Sequence, residues 1–450
     1  MTEMTRRETV LRYFNEQKDY MEERVRSGIE LYRKSFAAVR FVKQDGTPAS
    51  GVSVKAVQQT HDFNFGCNMF LLDEFETEEK NRMYRKLYPK LFNYAVAPFY
   101  WIDLEPEKGK PRYAADSPKI YRRPSPDLVV DYCRSVGIRL KGHCLIYDAF
   151  SPSWLLTDEI PGIKREIRAH LTEIAERYGN TISDWDIINE ALSWNCYDSE
   201  RLTKFFREDD YVSYPFKVAS SLPFERKFLN EAIGIWKDPH FKRSYCYLYL
   251  KDLLQSGVEI DGIGLQFHEF CLREGEKEYS ADHFNPVRIF DTLDTLATLG
   301  KPLQISEITL NSYNGDEEDM EIQALLAENM YKLWFSHPAM DGIVYWNFVD
   351  GYTFTGQNIK TYNPDDGENR FGGGLLYHDL TPKPIFHTLD RLINHEWHTE
   401  CELFSDNGGT ARFKGFRGMY DLEIRYNDRI LHKALHLNGH PETTCTIVVE

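Results

Sequence analysis

Two runs rich in apolar residues each stop at a glutamate: Trp185-Asp186-Ile187-Ile188-Asn189-Glu190 and Leu303-Gln304-Ile305-Ser306-Glu307. A carboxylate closing a buried strand is costly unless a partner or a bound molecule uses it. Two such ends, far apart in sequence, call for a fold in which distant strand ends converge. A parallel β/α barrel brings all its strand ends to one mouth.

The rest of the chain fits that frame. Strand-like runs recur at 63–70, 94–102, 139–147, 184–190, 226–232, 261–268, 302–309 and 342–349, with helical stretches between them such as Ile163 to Tyr178, Phe241 to Gln255, Pro286 to Leu299 and Glu318 to Phe335. Eight strands alternating with helices predict a (β/α)8 TIM barrel over 61–397. A doubly wound sheet would need a glycine-rich phosphate turn, and neither GxGxxG nor GxxxxGK occurs. Residues 1–34 read as a helical segment. Two alternating runs follow, Phe36 to Val42 and Val52 to Val57, with Asp45-Gly46 and Gly51 between them as a hairpin signal. The pattern is again β-like from 398 to 450, and neither end has enough strands to stand alone. The expectation is one small β-sandwich built from 35–60 together with 398–450. Polar, aromatic stretches at 193–212 and 351–371 are expected to rim the barrel mouth.

With 450 residues and 42% apolar content, the chain is long enough for such a barrel plus a module. A formal charge of −16 argues against nucleic acid and anionic membranes, which attract basic patches. The eight cysteines stand singly at 67, 133, 144, 196, 246, 271, 401 and 445, with no CxxC pair, and are expected to be free thiols. The first residues are charged and lack the apolar core of a leader peptide. Taken as complete, the chain is expected in the cytoplasm; with a leader removed, it would be secreted. Oligomeric state is not legible.

Facing carboxyl groups are the machinery of glycosidic bond cleavage, one acting as acid/base and the other as nucleophile or base. Abundant aromatics, 28 Phe, 27 Tyr and 8 Trp, supply flat platforms for sugar rings as well as core packing. The expected partner is therefore a carbohydrate.

The motifs carry this further. Trp185 to Ala191, Ile305-Ser306-Glu307, Gly142-His143-Cys144-Leu145 with Pro152-Ser153-Trp154, Ile263 to His268, and Tyr345-Trp346 with Asp350-Gly351 stand in order along residues 60–395. Together they resemble the family-10 glycoside hydrolases, the retaining β-1,4-xylanase family. That resemblance implies Glu190 as general acid/base and Glu307 as nucleophile. It implies Asn189 on the sugar 2-hydroxyl, with His143, Gln266, His268 and Trp346 lining the same subsite. It implies neither metal nor cofactor.

The departures cluster on the side expected to hold the non-reducing end. The family's Glu-Asn and Lys are replaced by Val96, Ala97 and Tyr100, and its Trp-His and Gln by Tyr147, Asp148 and Phe150. The Asp two residues past the nucleophile is Thr309, and a second tryptophan of the last strand is Phe354. Trp101, Tyr147 and Asp148 are expected at the cleft, with barrel packing an open alternative for Trp101. Glu231 ends a strand and fits either a supporting acid or a structural ion pair.

The substrate expected is β-1,4-linked xylan or xylo-oligosaccharide, cleaved by double displacement. Alternatives are another β-glycan or decorated oligosaccharide, or a barrel that binds sugar without cleaving it. A metal-dependent hydrolase would favour HxH or HExxH, and neither occurs. The carboxyl pair is expected to split, with Glu190 the higher, and His268 to hold Glu307 ionised. With Thr309 in place of an acid, His268 is expected to lose an orienting partner.

Overall fold

The computed structural model describes residues 4–193, 202–232, 234–356, 363–438 and 442–449. Parts of both expected rim loops, at 194–201 and 357–362, and Cys196 with them, lie outside the described residues.

Eight parallel strands close a barrel: β3 (Asn64–Asn68), β4 (Tyr94–Pro98), β5 (Arg139–His143), β6 (Asp184–Asn189), β7 (Arg226–Glu231), β8 (Gly262–His268), β9 (Leu303–Thr309) and β10 (Met340–Tyr345), with β10 returning to β3. Strands β4, β6 and β9 are buried at every residue. Helices cover a parallel sheet's outer face and side chains fill its inside, so such strands read as near-continuous apolar runs. The polar exceptions inside are paired: Lys141 Nζ sits 2.7 Å from Asp186 Oδ1 and donates to Gln304 Oε1 at 2.8 Å. The intervening helices start where the sequence signals it. Pro126, Pro161, Pro286 and Pro384 lie in first turns, and Asn285 and Asp316 accept from backbone N–H groups as caps.

The terminal strands form two further sheets. In one, β1 (Lys34–Val42) lies between β12 (Thr410–Phe416), antiparallel, and β15 (Glu442–Val448), parallel. In the other, the order is β11 (Glu400–Phe404), β2 (Ser53–Gln58), β13 (Gly418–Tyr426) and β14 (Arg429–Leu437). Their inner faces share one core that includes Val39, Phe41, Val54, Tyr420, Leu422 and Ile424. The expected hairpin between the first two strands does not form. The turn at Lys43–Thr47 is present, but β1 and β2 join different sheets, because both need later strands to pair with.

The N-terminal helices pack on the barrel through Val10, Leu11, Phe14, Met21 and Val25, which belong to the barrel's own apolar core. Gly28 lies so close to the helix Glu317–Ser336 that an added Cβ would come within 2.3 Å of the Ser336 carbonyl oxygen. Among the described residues, no helix is long and apolar enough to cross a membrane.

Candidate active site

Both glutamates open into one cavity of about 390 Å³ at the C-terminal ends of the barrel strands, where β/α barrels place their chemistry. A larger cavity of about 690 Å³ lies at the opposite end, lined by Phe63, Pro302, Met340 and Asp341, and neither glutamate reaches it.

Glu307 belongs to the inner wall, 4% exposed on β9. Its Oε1 accepts from Asn230 Nδ2 at 2.9 Å, and its Oε2 lies 3.0 Å from His268 Nε2. Asn230 reaches this position because β8 carries Gly264 opposite it: an added Cβ would meet Asn230 Oδ1 at 2.2 Å. Glu190 follows β6 at φ +53°, a left-handed conformation uncommon outside glycine, with its N–H bonded to the Asn230 carbonyl at 2.8 Å. Its carboxylate is half-buried. Oε2 accepts from the Tyr147 hydroxyl at 2.8 Å, and Oε1 from Gln266 Nε2 at 3.0 Å and Asn189 Nδ2 at 3.3 Å. Asn189 Oδ1 in turn accepts from Asn230 Nδ2 at 2.8 Å. A relay of amides therefore connects the two carboxyl groups.

His143 is buried between strands. Its Nδ1 lies 2.8 Å from Asp186 Oδ2, and its Nε2 3.1 Å from the Tyr100 hydroxyl and 3.9 Å from Glu307 Oε1. Trp346 forms a wall edge-on to Phe70 and His143, with ring centroids 5.3 and 5.2 Å away. Phe270 stacks on His268 at 4.4 Å. The structure thus brings Glu190, Glu307, His143, Asn189, Gln266, His268, Trp346 and Tyr147 into one cavity.

Two expected cleft residues lie elsewhere. Trp101 opens a short helix, Trp101–Leu104, that turns its indole away from the mouth, so that it stacks on His170 at 4.0 Å and donates to Glu105 Oε2 at 3.0 Å. Asp148 accepts from the Thr203 backbone N–H and hydroxyl, holding the loop after β5 against the segment at 203. Burial pushes this carboxyl up to about 7. Neither lines the cavity that holds the two glutamates.

The charge state also differs from expectation. Burial, and secondarily the Glu190 and Asp186 charges, push Glu307 up to about 8 against the pull of His143 and Asn230. Burial thus drives Glu307 up, where it was expected to be held ionised. Burial pushes His268 down to about 4, so it is neutral at pH 7 and offers no imidazolium to Glu307. It keeps an orienting partner all the same: Thr309 Oγ1 lies 2.9 Å from Nδ1. Glu231 is fully buried, accepts from the Leu192 N–H at 3.4 Å, and is pushed up to about 8 by desolvation. It has no ion-pair partner among the described residues.

The cavity also holds groups that sequence reasoning passed over: Phe70, Arg122, Arg123, Ser193, Trp236, His283 and Glu368. Most sit in loops with no periodic pattern, where only their membership of strand-to-helix connections could have flagged them. Among the described residues, no group of three His, Cys, Asp or Glu side chains could hold a metal ion.

The family model for glycosyl hydrolase family 10 matches residues 84–389. The chain belongs to this family. Among curated proteins, it is 25% identical over 401 residues to Anti-sigma-I factor RsgI6 of Acetivibrio thermocellus, covering 88% of this chain and 45% of that protein. It is 24% identical over 408 residues to Endo-1,4-beta-xylanase 2 of Arabidopsis thaliana, covering 89% of this chain and 33% of that protein. The chain thus spans less than half the length of these two relatives. Among solved structures, xylanase 10B from Thermotoga petrophila RKU-1 in complex with xylobiose superposes with a TM-score of 0.57 at 18% identity, covering 74% of this chain and 95% of that one. That likeness shows the fold, a β/α barrel.

Proposed function

We propose that this protein is a retaining glycoside hydrolase acting on β-1,4-linked xylan or xylo-oligosaccharides, with Glu190 as acid/base and Glu307 as nucleophile. The observation that carries the reading is the pairing of a buried strand-end carboxyl with a half-buried one in a single cavity, joined through Asn189, Asn230 and Gln266. A purely sugar-binding barrel has no need for two carboxyl groups joined through buried amides in one cavity.

In this reading, the ionised fraction of Glu307, which grows as pH rises toward 8, attacks the anomeric carbon while Glu190 passes its proton to the leaving oxygen. The glycosyl–Glu307 ester then yields to a water whose proton returns to Glu190. Each group has the setting its role needs. Asn230 and His268 orient the two Glu307 oxygens, so the nucleophile is positioned before substrate arrives. Glu190 stays in contact with solvent through the cavity, as a group must that takes a proton from one molecule and gives it to another. The Tyr147 hydroxyl fixes one of its oxygens and leaves the other to the amides. Trp346 offers an apolar wall for the sugar ring.

A second reading keeps the mechanism and changes the glycan. Val96 and Ala97 stand where relatives have polar groups, and Tyr100 and Phe150 close together at 4.8 Å as an aromatic wall. Fewer hydroxyl-bonding groups on that side favour a decorated or shorter substrate. The test is a panel of β-linked xylo-, gluco-, manno- and arabino-oligosaccharides with products resolved by chain length. Cleavage of the xylo-series that disappears in Glu307→Ala is expected. Cleavage of none of them would overturn the reading.

A further inference from the structure

The cavity that holds Glu190 and Glu307 also exposes a buried cation with no part in bond cleavage, Arg122. It lies on the connection between β4 and the helix Pro126–Val136 and is 3% exposed. One terminal nitrogen donates to the Tyr352 carbonyl, Nε has no partner, and no carboxylate of the described residues comes within 4.0 Å. Its neighbour contrasts with it. Arg123 donates from Nε to Asp103 Oδ2 at 2.8 Å and from a terminal nitrogen to the Arg122 carbonyl at 3.0 Å, so its charge is matched. The carboxylate that acts on Arg122 from farther away is Glu368, whose Oε2 is already taken by Asn347 Nδ2 at 2.8 Å.

A guanidinium cannot shed its proton in a protein. A buried one without a counter-ion is therefore a standing cost, which a bound anion would remove. The backbone points the same way. Arg122 is held at φ +60°, a conformation that side chains other than glycine rarely adopt, and the Arg123 bond to its carbonyl helps to fix it there. Beneath both guanidinium groups lies the Phe70 ring, at 5.6 and 5.4 Å, so this wall is at once apolar and cationic. In barrel order it stands across the mouth from the β7 and β8 ends, which leaves the space between for the scissile bond.

We propose that Arg122 recognises an anionic substituent, so that the substrate is a β-linked oligosaccharide carrying a carboxylate or a phosphate ester on the sugar bound at the β3–β4 side. This rests on the glycosidase reading above and names its substrate class.

The test compares wild type, Arg122→Gln and Arg122→Lys on three oligosaccharides of equal length: neutral, glucuronyl-substituted and phosphorylated. Wild type is expected to show a kcat/KM roughly 30-fold or more higher on one charged compound than on the neutral one. Which compound gains identifies the anion. The ratio should collapse toward one in Arg122→Gln and persist in part in Arg122→Lys. If the glutamine variant does not fold, the wild-type and lysine ratios decide. Glu307-dependent cleavage of the neutral compound, with no gain on either charged one, overturns the inference and leaves the glycosidase standing. Cleavage of none removes the glycosidase reading. Calorimetry with glucuronate and inorganic phosphate then decides the anion site: binding lost in Arg122→Gln supports it, and no binding to wild type overturns it.

Discussion

Replacing Glu307 with glutamine should stabilise the fold, and by more at pH 7 than at pH 5. Burial raises this carboxyl from 4.5 to about 8. The folded protein therefore binds a proton that the unfolded chain releases, and its stability falls as pH rises from 4.5 toward 8. Integrated over those two values, the cost of keeping Glu307 is roughly 1 kcal/mol at pH 5 and about 3 kcal/mol at pH 7. Glutamine carries no such cost. It still accepts from Asn230 and offers its amide to His268, so the change in hydrogen bonding adds an offset that does not vary with pH. Urea unfolding of both proteins, followed by tryptophan fluorescence at pH 5 and pH 7, reads the difference. Glu231, pushed up in the same way, is present in both and cancels. A stability gap that stays constant to within about 0.5 kcal/mol, or that narrows at pH 7, would refute the claim that burial holds Glu307 protonated.

Tyr147→Phe removes the hydroxyl that donates to Glu190 Oε2, and kcat/KM should fall on the order of tenfold or more in initial-rate assays. Thr309→Asp places a charge beside His268 Nδ1. Stabilising the imidazolium there should pull Glu307 down from about 8 and move the acid limb of the kcat/KM profile to lower pH; an unmoved limb would count against coupling of Glu307 to Thr309 through His268. Trp101→Ala should lower stability by roughly 3–5 kcal/mol while leaving KM for an oligosaccharide within about twofold, because the indole packs on His170 and not on sugar.

The barrel was legible because parallel strands buried on both faces leave uninterrupted apolar runs, and because Glu190 and Glu307 end two of them. The shared subsite was legible only through the family-10 resemblance; His143, Asn189, Gln266 and His268 are strand residues that the fold brings to one mouth. Trp101 misled because the helix that redirects it begins at that residue, and its partner His170 lies 69 residues on, on another helix. Asp148 misled similarly, with its partner at Thr203 across a loop. The rise of Glu307 depended on how deeply its carboxyl sits, which is a property of packing. Arg122 escaped notice because an Arg-Arg-Pro in an irregular connection reads as solvated charge, and only the fold reveals that it is enclosed.

The most direct measurement is mass spectrometry of the protein after incubation with a 2-deoxy-2-fluoro-β-xylobioside bearing a good leaving group, which slows release of a covalent intermediate. A single glycosyl adduct mapped to the peptide containing Glu307, and absent in Glu307→Gln, is the predicted result. Turnover of that compound with the label on another residue, or hydrolysis of an unmodified xyloside with inversion at the anomeric carbon, would contradict the assignment of Glu307 as nucleophile.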